Sequence, residues 1–100
     1  EPTQSGIHDL ERVAGVADHF GVESLVCINK SDLSEAKTEE IEKIALQKGI
    51  KLVGRIPYDR QIVEAMVNGK SIVEYGRGDT VQAIGEVWNK VRANLRKLEE

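Results

Sequence analysis

Two short polar strings carry the chemistry legible in this sequence. Asn29-Lys30-Ser31-Asp32 comes after one apolar run, and Pro57-Tyr58-Asp59 comes after another that ends at Ile56. A side-chain amide such as that of Asn29 both donates to and accepts from a purine edge. The stem of Lys30 can lie along the flat face of a base. The carboxylate of Asp32 can accept two hydrogen bonds from an amidine-like edge, such as the N1 and N2 side of guanine. Backbone groups beside Pro57 can face the same base. These residues also have plainer uses: Asn29 and Asp32 suit an Asx-type turn leaving a strand, and Pro57-Tyr58-Asp59 suits a turn and a helix cap.

To share one ligand, the two strings must stand at the same ends of neighbouring strands. The spacing of Ile7, Leu10, Val13, Ala14, Ala17 and Phe20 predicts a helix with one apolar stripe, ended by Gly21. Residues 24–28 (SLVCI) read as a strand buried on both faces. A second helix is expected from Ser34 or Thr38 to Lys48, with Ile41, Ile44 and Ala45 inward and Gly49 as its left-handed stop. Residues 50–56 (IKLVGRI) read as the next strand, closed by Pro57. A short helix over 59–68 packs Ile62, Val63 and Met66, and residues 70–78 form a loop with a brief extended stretch at 72–74. Asp79 caps the last helix, with Gln82 three residues on, and that helix carries Val81, Ile84, Trp88, Val91, Leu95 and Leu98. Strands alternating with helices imply parallel pairing and right-handed crossovers, hence an α/β layered fold. In such sheets ligands sit at the carboxyl ends of the strands, where both polar strings fall.

Composition narrows the function. The chain has 100 residues, 40% apolar and 31% charged, which describes one globular domain with a modest core. A formal charge of −3 argues against general affinity for nucleic acid or anionic membrane, and the 4% aromatic content offers no stacking platform for single strands. No apolar run is long enough to span a membrane, and a cytoplasmic setting fits the single cysteine, Cys27, whose apolar surroundings in sequence predict a buried thiol. His8 and His19 return to nearly one helical face but roughly 16 Å apart, too far to share a metal. Glu35, Glu39, Glu40 and Glu42 read as a solvated helix start suited to the helix dipole. The first residue is Glu rather than Met, which suggests an excised piece.

The string VCINKSDL, followed by GRIPYD, EAMVNGK and IVEY and preceded by EPT, SG and HDLERV, closely resembles the C-terminal half of the MinD/ParA-type P-loop ATPases. The nearest branch is the one named after cobyrinic acid a,c-diamide synthase, whose members commonly carry an inserted ferredoxin domain. The resemblance covers nearly the whole chain. It implies a partial three-layer P-loop NTPase-like fold, a small parallel sheet flanked by helices, with residues 1–100 as a single domain and EPT as the end of a preceding strand. It also implies an adenine nucleotide site: Asn29 would contact the base, and Ile56, Pro57 and Asp59 would wall the adenosine, while Lys30 and Asp32 join the candidate base-binding set on the side-chain chemistry given above. Family members place polar residues on the next helix, where this chain has Val63 and Met66.

The departures bear on activity. No G-x-x-x-x-G-K-[ST] string occurs, so the phosphate cradle and the hydroxyl that holds magnesium are missing. The chain alone is expected to be inactive in ATP hydrolysis, with ATP and Mg²⁺ handled only by a complete parent protein. Expected partners are an adenine nucleotide, the rest of the ATPase domain, and a second copy or a client protein. Any iron–sulfur domain would lie outside this chain. Two other readings stand. Asn29-Lys30-Ser31-Asp32 is a literal N-K-x-D, the guanine-specificity sequence of GTP-binding proteins, although the 56–59 segment lacks the small S-A-K loop of Ras-type GTPases and favours adenine. The third reading is a non-enzymatic interaction module, joined through an unpaired strand edge.

Overall fold

The computed structural model describes residues 1–99, with side chains placed through residue 97. Helix α1 (Gln4–His19) leads to strand β1 (Leu25–Asn29), a 3-10 turn (Ser31–Leu33), helix α2 (Glu35–Gln47) and strand β2 (Lys51–Ile56). Helices α3 (Arg60–Val67), α4 (Ile72–Tyr75) and α5 (Asp79–Glu99) complete the chain. The two strands pair in parallel, so the chain is an α/β structure with a small parallel sheet flanked by helices, as its alternation of elements implies.

A β-bulge decides what each face of this sheet carries. Val26 pairs with Leu52 but Cys27 pairs with Gly54, so Val53 is an extra residue on β2. Leu52 therefore joins Ile7, Ile28 and Ile41 in the core between the sheet and helices α1 and α2. Arg55, three positions on, returns to the same side and meets α2. Gly54 faces the other way, where Val87 of α5 lies. Without the bulge, strict alternation would send Leu52 and Arg55 to opposite faces.

The helix starts are set by local capping. Thr3 accepts the Gly6 N–H at 3.0 Å and opens α1. Ser34 accepts the Lys37 N–H at 3.1 Å and opens α2. Asp59 opens α3 through the Gln61 N–H. Each satisfies a donor that the first helical turn leaves without a partner.

Several expectations need correction. Residues 72–74 are not extended: they belong to α4, which Ser71 and Glu74 nucleate through a reciprocal capping box. The capping box expected at Asp79 and Gln82 is displaced, because Asp79 is already helical and the Gln82 N–H bonds the Gly78 carbonyl. Strand β1 is buried on one face only: Ile28 is enclosed, whereas Cys27 is exposed because α5 lies over β2 and leaves β1 uncovered. The stripe of α1 divides likewise, with Ile7 and Ala14 buried but Val13 and Phe20 65% and 73% exposed. In α5, Val87, outside the predicted spacing, lies against Gly54 of β2; of the predicted stripe Val81, Ile84 and Val91 are half-buried while Trp88 is largely exposed. The Leu98 side chain lies outside the described residues.

The molecule is consequently flat. Its radius of gyration is 14.7 Å and its extents are 41 × 35 × 20 Å, against about 13 Å for a compact domain of this length. No helix of the described residues is long and apolar enough to cross a membrane.

Candidate functional site

The register places Asn29, the last residue of β1, directly beside Ile56, the last of β2. Both polar strings therefore leave the sheet at the same edge. A tight turn begins at Asn29: the Lys30 N–H donates to Asn29 Oδ1 at 2.9 Å, and the Leu33 N–H donates to the Lys30 carbonyl at 3.0 Å. Lys30 adopts φ 51° and ψ 43°, the left-handed region, which costs a residue with a Cβ about 1–2 kcal/mol. The turn is anchored from below by Thr38, fully buried, whose Oγ1 donates to the Ser31 carbonyl at 2.8 Å. A strained residue held between two fixed points is the usual mark of a loop whose shape is enforced by its surroundings.

The two loops are joined. The Tyr58 main-chain N–H donates to Asp32 Oδ1 at 2.7 Å across 26 residues of sequence. Asn29, Asp32, Ile56, Pro57 and Tyr58 thus share one end of the parallel pair. Asn29 is exposed, Pro57 is half-buried and the Tyr58 side chain is 53% exposed. Lys30 is turned to an ion pair, its Nζ 3.3 Å from Glu1 Oε2, with both side chains about half-exposed. Such a pair is weak in water, and the lysine can leave it at little cost.

The Asp59 carboxylate is turned to the start of α3. Its Oδ1 accepts the Gln61 N–H at 2.9 Å and its Oδ2 accepts from Gln61 Nε2 at 3.0 Å. The Gln61 backbone N–H, with the Thr80 hydroxyl second, holds the Asp59 carboxyl below the usual carboxylate range. Its geometry is that of a helix cap. Gln61 also pairs with the Arg77 backbone, donating to its carbonyl and accepting its N–H at 3.1 Å each, so the loop before α5 is fastened to α3.

Arg55 is a residue that sequence reasoning passed over. Its guanidinium bonds Glu42 through both Nε and Nη2, and Glu35 through Nη1 at 3.1 Å. Those hydrogen bonds, Glu42 foremost, push its pKa upward. Glu35 and Glu42 are therefore partners of β2 and not merely a solvated helix start. The signal was a lone arginine in an apolar strand preceded by two helical acids seven apart, which two turns bring to one face. Arg55 thereby ties α2 to the strand that delivers Ile56 and Pro57.

Concavities lie elsewhere. One of about 740 Å³ runs along the outer face of α1 past Val13, Val16 and Phe20. Another of about 310 Å³ lies by Val22, Ser24 and Ile50, toward the opposite ends of the strands. The first is mostly apolar. The loop edge is open, a shelf with polar groups rather than a closed pocket. At this edge the Asn29 side chain is exposed with its Oδ1 accepting the Lys30 N–H, and the Tyr58 N–H is already engaged by Asp32, so the Asn29 side-chain amine is the donor there free to meet a ligand. The residues present do not fit a triphosphate with magnesium, because no phosphate cradle exists in the sequence and no group of three or more metal-ligating side chains converges among the described residues.

The chain has relatives among curated proteins. Over 69 residues it is 31% identical to the cytosolic Fe-S cluster assembly factor Nubp1 homologs of Drosophila yakuba, Drosophila melanogaster and Drosophila sechellia. The aligned stretch is 69% of this chain and 22% of each fly protein, so the chain spans about a fifth of the length of the curated relatives it matches. No family model matches the chain, and no solved structure matches it. The likeness is distant and supports a place within the P-loop ATPase superfamily at large; it does not support the cobyrinic acid a,c-diamide synthase branch.

Proposed function

We propose that this chain supplies the base-recognition loops of a MinD/ParA-type nucleotide-binding domain that takes adenine. The observation that carries this reading is the Asp32–Tyr58 hydrogen bond, which closes the loops after β1 and β2 into one edge at the carboxyl ends of parallel strands. The Asn29 amide addresses the purine edge, Ile56 and Pro57 wall the base, and the Lys30 stem leaves Glu1 to lie along its face. Asp59 serves by starting α3 in the right place. The phosphates, Mg²⁺ and hydrolysis belong to other parts of a parent ATPase, and this chain alone turns over no ATP. The cobyrinic acid a,c-diamide synthase branch is the finer placement suggested by the VCINKSDL and GRIPYD strings. The fly relatives, named as cytosolic Fe-S cluster assembly factors, support instead a parent that serves such assembly, and a second copy or a client protein is its proposed partner.

The test is a titration of the ¹⁵N-labelled chain with AMP and with GMP. Shifts at the Asn29 side-chain amide and at the Ile56 and Tyr58 amides, larger with AMP, are expected. Larger shifts with GMP would support the guanine reading, and silence at these positions with both would leave the loops a purely structural feature.

A further inference from the structure

We propose that Thr38 of α2 is a positioning residue that holds Lys30 in its left-handed conformation and so fixes the shape of the Asn29–Asp32 turn. Its bearing on a ligand rests on the base-site reading above, whereas the hold is a property of the free chain. Lys30 is the one non-glycine residue with positive φ among the described residues, at 51°. A residue with a Cβ is disfavoured there by about fivefold to thirtyfold, so contacts around it must keep it in place. Two bonds come from the string itself: the Lys30 N–H donates to Asn29 Oδ1, and the Leu33 N–H donates to the Lys30 carbonyl. Two come from outside: the Tyr58 N–H donates to Asp32 Oδ1, and Thr38 Oγ1 donates to the Ser31 carbonyl. The Asn29 and Asp32 bonds are exposed, where water competes for the same groups, but the Thr38 bond is buried. A buried polar group left alone bears its full desolvation penalty, so the turn cannot swing away from Thr38 without that loss.

The make-up of α2 agrees with this role. Threonine is a poorer helix former than alanine, yet it occupies a fully buried position near the start of α2. Its hydroxyl reaches out of the helix to a carbonyl seven residues back. Thr38 is itself fixed: Glu35 and Glu42, three residues before it and four after it on the same face, both bond Arg55 of β2. One face of α2 therefore holds the turn after β1 and grips the residue before Ile56. With the turn closed, the Lys30 N–H occupies Asn29 Oδ1 and leaves the Asn29 amine as the group offered to a ligand.

The test compares Thr38→Val, which keeps the shape and removes the hydroxyl, Thr38→Ser, which keeps the hydroxyl, Lys30→Gly, and Thr38→Val combined with Lys30→Gly. Leu33 amide exchange and the carbon chemical shifts of position 30 report the turn without ligand, and Ala45 amide exchange reports the fold. Thr38→Val should speed Leu33 exchange about fivefold or more, the factor for one lost hydrogen bond, and Thr38→Ser should bring it back to within about twofold. Glycine adopts positive φ freely, so in the Lys30→Gly chain adding Thr38→Val should change Leu33 exchange by less than about twofold. A threonine that only fills the core would lower stability equally in both backgrounds and leave the turn as it is. Unchanged Leu33 exchange in a folded Thr38→Val variant, or the same acceleration in the Lys30→Gly chain, would overturn the proposal. Should Thr38→Val alone not fold, the double variant decides: a folded chain with a protected Leu33 amide supports the hold, and failure of both overturns it. AMP is then titrated into the Thr38 variants. Affinity read at the Asn29 side-chain amide should fall about threefold or more in Thr38→Val and recover in Thr38→Ser, the loss expected from a disordered donor. Equal AMP affinity in a Thr38→Val chain with an open turn would overturn the bearing on the ligand. No AMP response in the unsubstituted chain would sink the base-site reading, while the exchange results still decide the hold.

Discussion

A Cβ added to Gly54 would stand 2.6 Å from Val87 Cγ2, so the backbone of β2 and the side chain of α5 are in direct contact at the bulge. Helix α5 can lie this close only because Gly54 has no side chain. Gly54→Ala should destabilise the chain by about 1–3 kcal/mol, the range for overpacking a filled site. Val87→Ala in the same chain should recover part of the loss, since the two positions share one contact. Urea unfolding of the four members of this cycle checks it, and additive effects would show that the contact does not couple the elements.

Asp59 gives the fold an acid-sensitive joint. Its folded pKa lies below the ordinary value, chiefly through the Gln61 N–H and then the Thr80 hydroxyl. A carboxyl depressed in this way contributes stability that is fully present above its unfolded pKa and is lost as pH falls through the folded one. Thermal stability should therefore drop on acidification below the ordinary Asp range. Asp59→Asn, which can still cap α3, should flatten that acid dependence, and Asp59→Ala should lower stability at neutral pH as well. Melting temperatures of the three proteins from about pH 2 to about pH 7, a range that brackets the usual carboxylate titration, test this.

Cys27 should react with a thiol reagent in the native chain, without unfolding, because it lies exposed on the uncovered face of β1. Partial burial raises its pKa, so the rate at neutral pH should fall below that of a free cysteine. Labelling that appears only on adding denaturant would place a cover over β1.

The elements with strong periodicity or clear punctuation were readable in the sequence. Gly49 and Pro57 bracket β2, and Ser34 opens α2, because their backbone preferences act locally. Helix α4 was not readable, since four residues carry no periodicity and only the Ser71–Glu74 pair marks it. The split of the α1 stripe was hidden too: spacing tells which residues share a face, not whether anything covers it. At the site, strand order placed Asn29 near Ile56. The bonds from Asp32 to Tyr58 and from Arg55 to Glu42 span 26 and 13 residues and depend on register and on a bulge that no local pattern announces.

The measurement that bears most directly on the shared purine edge is a set of intermolecular NOEs from the adenine H2 and H8 protons to the labelled chain. One bound state with contacts to both Asn29 and the Ile56–Pro57 segment is the expected result. Contacts confined to one loop, or to Val13, Val16 and Phe20 on the outer face of α1, would contradict a base site formed jointly by the two strand ends.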